Sequence, residues 1–91
     1  MKTTIQQWEF TDKMVKWFSY NGANALYDYL EGLEQDIGQE IEFDPVAFRC
    51  EYTEYENLEE IKEHYNIETI EDLEQRTTVI EFKGGIIVQQ F

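Results

Sequence analysis

The side chains best suited to nucleophilic catalysis in this 91-residue chain are its one cysteine, Cys50, and its one histidine, His64. A thiol–imidazole pair works only when both groups share a cleft and a third group orients the base. Cys50 alternates with Val46, Phe48 and Tyr52, a setting in which a small thiol packs as an apolar side chain. His64 lies between Glu63 and Tyr65 in a polar stretch. Nothing in the spacing joins the two. No phosphate-binding glycine loop, GxSxG or HExxH pattern occurs. One Cys and one His serve zinc poorly, and no segment matches an EF-hand loop. Carboxylate pairs for glycoside chemistry abound, but a chain this short leaves little room for a sugar cleft. The expectation is therefore no catalytic residue, no metal site and no cofactor, with only loose cation binding at Glu54, Glu56, Glu59, Glu60 and Glu63.

The remaining chemistry is that of the carboxylates as a set. Residues 28–74 hold 17 of the 20 acidic residues and only two basic ones, Arg49 and Lys62. That segment carries −15 while the rest of the chain carries +2, for a net charge of −13. Such a balance opposes binding to nucleic acid and to anionic membrane surfaces and favours a basic protein partner. Duplex DNA is itself a dense, ordered array of negative charge. A rigid acidic surface can therefore occupy a basic groove built for DNA. Carboxylates three or four residues apart on a helix lie about 5–6 Å apart, and alternate strand residues about 6.6–6.8 Å apart. Glu56, Glu59, Glu60 and Glu63 supply the first kind of array, with Glu51 and Glu54 extending it from a strand end and a loop. Glu68, Glu71, Asp72 and Glu74 continue it, and Asp28, Glu31 and Glu34 form a second row. The like-charge pairs Glu56–Glu60 and Glu59–Glu63 each cost a few tenths of a kcal/mol in a helix, more acid than solubility requires. Tyr52, Tyr55 and Tyr65 lie among these acids, where tyrosine suits an interface, and Tyr55 is expected to serve as an anchor. The plain alternative is a solvated acidic face.

The elements that position these residues follow from periodicity. Residues 3–10 fit either a fourth strand or the lead-in to a helix. Thr11 is the expected N-cap of a helix over residues 12–19, with Met14, Trp17 and Phe18 inward, and Asn21-Gly22 breaks it. A second helix is expected over residues 23–37, with Leu26, Leu30, Leu33 and Ile37 on one stripe. Gly38 ends it, and Gly32 allows a close helix contact. Residues 41–55 read as a strand bulged at Asp44-Pro45, with Cys50 inward. Asn57 and Thr69 cap two short acidic helices. Residues 77–82 and 86–91 form a hairpin around Gly84-Gly85, pairing Phe82 with Ile87, Ile80 with Gln89 and Thr78 with Phe91. The expected fold is one α+β domain: a three-stranded, or with the N-terminal run four-stranded, mainly antiparallel sheet with helices on one face. No run reaches the roughly 20 apolar residues of a membrane span. The N-terminal residues lack the apolar stretch of a signal peptide. A single cysteine suits a reducing compartment, the cytoplasm.

Residues 43–55, Phe-Asp-Pro-Val-Ala-Phe-Arg-Cys-Glu-Tyr-Thr-Glu-Tyr, resemble the central signature of a family of small acidic bacteriophage proteins. The stretches at residues 22–30, 69–80 and 85–91 resemble it as well. The resemblance implies a phage setting and action inside an infected bacterium, and it assigns no functional residue. Small acidic phage proteins often inhibit host enzymes that handle DNA, such as restriction enzymes, CRISPR effectors and repair glycosylases. The expected partner is a host nucleic-acid-handling protein with a basic groove, bound without direct contact to nucleic acid. A second expectation is an interaction module for a phage assembly or host regulatory protein, without DNA mimicry.

Overall fold

The computed structural model describes residues 5–91. Helix α1 spans Gln7–Met14, earlier than the expected residues 12–19. Its start is set by the Gln6 backbone N–H, which donates to the Glu9 carboxylate at 3.2 Å, and not by Thr11, which is buried in mid-helix. Residues 3 and 4 of the ambiguous N-terminal run lie outside the described residues, and the remainder of that run leads into α1.

Helix α2 spans Tyr20–Ile37 with Ser19 as its N-cap. Asn21-Gly22, expected to end the first helix, forms the first turn of α2 because the Ser19 hydroxyl accepts from the Gly22 N–H at 3.0 Å. Gly38, at φ 67°, terminates the helix as expected. The inward stripe holds for Ala23, Leu26 and Leu30, but the last turn departs from it. Glu34 is buried and Ile37 is exposed. Gly32 has open space around it and makes no close contact.

The segment expected as one bulged strand divides in two. Helix α3 occupies Pro45–Glu51 and strand β1 only Tyr52–Tyr55. The Asp44 side chain accepts from the Ala47 N–H at 3.2 Å, and proline is pre-set for the first helical turn, where its missing N–H is not needed. The apparent alternation of Val46, Phe48 and Cys50 is therefore no strand: Phe48 is buried, while Val46 and Cys50 are exposed. Helices α4, Leu58–Lys62, and α5, Ile70–Glu74, start where expected, on the side chains of Asn57 and Thr69.

Strands β2, Val79–Phe82, and β3, Gly85–Gln89, complete an antiparallel sheet in the order β1-β3-β2. Three strands are present among the described residues. The hairpin turn is Lys83-Gly84, because Phe82 pairs with Gly85 and Ile80 with Ile87. The two-residue shift from the expected register leaves every side chain on its expected face. Gly85 lies inside the strand because a Cβ there would approach the Tyr55 carbonyl oxygen to 2.7 Å and the Phe82 ring to 2.9 Å.

Both faces of the sheet are covered. On one, Ile87 and Tyr52 pack with Phe10, Met14, Leu26, Leu30 and Phe48 from the three longer helices. On the other, Val88 and Tyr55 pack with Ile61, Ile67 and Leu73 from α4, α5 and the loop between them. The expectation of helices on one face is corrected accordingly. Ile87 and Val88, adjacent in the central strand, are both essentially inaccessible, which requires apolar layers on each side.

Candidate functional site

The two short helices present their outer sides as the principal acidic surface. Asn57 holds α4 in place by accepting from the Glu60 N–H at 3.0 Å. Thr69 does the same for α5 through the Asp72 N–H at 3.1 Å. Ile61 and Leu73 are fully buried beneath them and fix both turns to the sheet. Glu56, Glu59, Glu63, Glu68, Glu71 and Glu74 are exposed, and Glu60 and Asp72 are half-buried. Compensation is sparse: Lys62 lies 3.9 Å from Glu59 and Arg76 3.5 Å from Asp72. Among the described residues, no ion pair or hydrogen bond engages the side-chain carboxylates of Glu56, Glu63, Glu68, Glu71 or Glu74.

The array is not the regular helical row that the spacing suggests. Glu56 precedes the cap of α4 and Glu63 follows its last residue, so neither Glu56–Glu60 nor Glu59–Glu63 is a pair within one helix. Glu59 and Glu60 occupy the first turn of α4, and Glu71 and Asp72 that of α5, where negative charge is favourable. The surface is a set of separate acidic turns held by apolar anchors.

Two expected partner-binding residues are committed elsewhere. Tyr55 is buried under α4, with its ring 5.9 Å from His64. Burial first, then Tyr65 and Glu60, push its phenol up to about 12. It is a core residue and not an exposed anchor. Glu54 points from β1 to the start of α2, where its carboxylate accepts from the Ser19 N–H at 2.9 Å and the Ser19 hydroxyl at 3.1 Å. Helix α2 has no acidic residue in its own first turn, so Glu54 supplies the anion that its N-terminus favours. Gly22 leaves the space for that carboxylate, because a Cβ there would clash with Glu54 Oε1. Glu51 is exposed at the end of α3 and accepts from Gln89 Nε2 at 2.6 Å.

The second row is engaged as well. Asp28 is exposed and accepts from Gln7 Nε2 at 3.4 Å. Glu31 hydrogen-bonds Tyr27, which together with burial raises the Tyr27 phenol to about 12. The Glu34 carboxyl is held below its usual range by a hydrogen bond shared with Glu31 and by the Ile41 N–H, against an opposing effect of burial. The Ile41 N–H donates to it at 2.5 Å. Of this row, Glu34 secures the loop after α2, while Asp28 ties α2 to α1 through Gln7.

Cys50 is exposed on α3, whose Phe48 belongs to one core layer, while His64 stands against Tyr55 of the other. The sheet separates them. Among the described residues no group of His, Cys, Asp or Glu is arranged to hold a metal ion, and no helix is long and apolar enough to cross a membrane.

A feature the sequence reading passed over lies at α1 and the start of α2. An open groove of about 790 Å³ is lined by Gln6, Gln7, Trp8, Thr11, Asp12, Val15, Tyr20 and Asn24. The signal was present in the helical phase: Trp8, Asp12 and Val15 fall at i, i+4 and i+7, away from Phe10 and Met14. Comparison with protein-family models, with curated proteins and with solved structures gives no match for this chain.

Proposed function

We propose that the chain is a non-catalytic, phage-encoded inhibitor that binds a host DNA-handling protein, presenting fixed carboxylates to a basic groove in place of DNA phosphates. It would act in the cytoplasm of the infected bacterium. The observation that carries this reading is the set of exposed, uncompensated carboxylates at Glu56, Glu63, Glu68, Glu71 and Glu74, mounted on turns that are anchored by fully buried Ile61 and Leu73. The resemblance to small acidic phage proteins supports the setting, and the net charge of −13 supports a basic target. Glu59 and Glu60 complete the proposed interface, and Glu51 flanks it. Tyr55 supports it from beneath, whereas Glu54 serves the start of α2 on the other face of the sheet.

The test is charge reversal at Glu59, Glu63 and Glu71 together, all exposed. Each buried or half-buried contact below them is retained, so the fold persists. Binding to the target should fall by orders of magnitude and lose most of its salt dependence. Unchanged affinity would remove the acidic surface from the interface. A second reading, an interaction module without DNA mimicry, is favoured by one observation: Trp8 and Tyr20 are among the most exposed large side chains. In that reading affinity would barely respond to salt.

A further inference from the structure

We propose that the outer edge of β2 is a docking site for an extended segment of a partner protein, one in which lysine or arginine alternates with apolar residues. Strand β2 ends the sheet on one side. Phe82 pairs with Gly85 across the two-residue turn and Ile80 with Ile87, and the Gln89 N–H donates to the Thr78 carbonyl at 3.0 Å. These are the hydrogen-bonded positions of the ladder. In an antiparallel pair the residues between such positions aim their N–H and C=O away from the partner strand. Val79 and Glu81 therefore point theirs outward, and no described group takes them. Sheets ordinarily blunt a free edge with proline, a bulge, a charge or a cover. At the opposite edge the Tyr52 N–H donates to the Phe48 carbonyl of α3. Strand β2 has only the charge of Glu81.

Backbone donors and acceptors in alternation specify the conformation of the occupant, an extended strand. The neighbouring bonds fix its place. The Thr77 N–H is taken by the Leu73 carbonyl at 3.0 Å, and the Lys83 carbonyl by Asn21 Nδ2 at 3.3 Å, so the open stretch lies between them. The side chains specify its sequence, because alternate residues of β2 face opposite sides of the sheet. Ile80 and Phe82 are half-buried against the layer that holds α1, α2 and α3, and Val79 against the layer that holds α4 and α5. Glu81, on the Val79 side, is exposed, and among the described residues no ion pair or hydrogen bond engages its carboxylate. An added strand sets apolar side chains beside Ile80 and Phe82 and a cation beside Glu81, and cross-strand pairs of both kinds favour pairing. A second copy of β2 fits less well: paired with itself about Ile80, it brings Glu81 diagonal to its counterpart, on chains that each carry −13.

The edge is separate from the exposed acids of α4 and α5. The proposal rests on the reading of the chain as a binding protein and not on DNA mimicry, so either can fail without the other.

The experiment is amide hydrogen exchange on the ¹⁵N-labelled protein, alone and with the peptide Lys-Val-Lys-Val-Lys. Alone, the Val79 and Glu81 amides should exchange quickly while that of Ile80, bonded to Ile87, is protected. The peptide should slow exchange at Val79 and Glu81 saturably. In antiparallel addition its lysines lie opposite Val79 and Glu81 and make the backbone bonds. N-methylation of the lysines should therefore weaken binding about tenfold or more, whereas N-methylation of the valines should leave it within about twofold, since their N–H groups face away from β2. Glu81→Gln should weaken the unmodified peptide about 2–5-fold. Equal loss from both methylations, effects confined to α4 and α5, or no effect of the peptide would overturn the proposal. So would protection of Val79 and Glu81 in the free chain, whether constant on dilution, which would mean a closed edge, or growing with protein concentration, which would assign the edge to a second copy.

Discussion

Replacing Glu54 by alanine separates a structural acid from the surface acids around it. Its carboxylate accepts two hydrogen bonds from Ser19, at 2.9 and 3.1 Å, at the N-terminus of an 18-residue helix that has no acid in its own first turn. Hydrogen bonds to a charged group contribute about 1.5–3 kcal/mol. Ser19 is solvent-exposed, so water replaces part of each bond, and the helix dipole adds about 0.3–1 kcal/mol. The net loss is about 2 kcal/mol. For a domain of this size each kcal/mol moves the melting temperature by about 4–8 °C, so Glu54→Ala should lower Tm by roughly 8–16 °C in a thermal melt followed by circular dichroism. Glu54→Gln retains an acceptor and should lose about half as much. Glu63→Ala, in the same acidic stretch but exposed and unpaired, should stay within about 0.5 kcal/mol of the parent. If Glu54→Ala melts within about 3 °C of the parent, the cross-element cap contributes nothing and Glu54 returns to the set of free surface acids.

The other predictions follow from the same geometry. Gly85→Val should destabilise by several kcal/mol or abolish folding, as judged by denaturant titration, because even a Cβ at that position meets the Tyr55 carbonyl oxygen at 2.7 Å. Asn57→Ala should cost about 1 kcal/mol by removing the acceptor for the Glu60 N–H, and should weaken target binding by loosening α4. Raising the pH should destabilise the fold as Tyr52 and Tyr55 ionise. Each phenol is pushed up to about 12 by burial, so its stabilising effect is complete below pH 10 and lost as pH rises toward 12. Tyrosinate absorbance should therefore rise together with loss of structure. Glu34 acts in the opposite direction: its carboxyl is held below the usual 4.5, so its contribution is present above that pH and is lost under stronger acid, and the stability advantage of the parent over Glu34→Gln should shrink as the pH falls.

The class of the fold was legible because several of its local signals act alone. Asn57 and Thr69 name their helix starts through single side chain–backbone bonds, and those bonds form as the sequence implies. The strands of the hairpin were legible in the same way, since alternation fixes faces even where the register moves by two. Asp44-Pro45 carried two conflicting signals, a strand-like alternation after it and a helix start within it. The helix won because the cap and the pre-set proline act locally, whereas alternation needs a partner strand to matter. The run Ile86-Ile87-Val88 marked a strand buried on both faces, although it reads equally as one side of an ordinary hairpin. The roles of Glu54 and Tyr55 were not legible. Each depends on a contact between residues far apart in the chain, Glu54 with Ser19 and Tyr55 with Val88 in one core layer, and neither spacing nor composition encodes those meetings. Charge counting placed both at the interface because it sees the neighbours along the chain and not the direction of the side chain.

The division between structural and free carboxylates gives the functional proposal its form. The acids that hold elements together, Glu34 and Glu54, are tied to backbone N–H groups. Those with no described partner, Glu56, Glu63, Glu68, Glu71 and Glu74, lie in or beside α4 and α5. The most direct test is capture of binding proteins from bacterial lysate on the immobilised chain, with elution by duplex DNA at constant ionic strength. The account predicts release of a DNA-handling protein by duplex DNA, and no capture of that protein on the chain carrying lysine at positions 59, 63 and 71. A partner that stays bound under excess duplex DNA and binds the lysine-substituted chain equally well would contradict it.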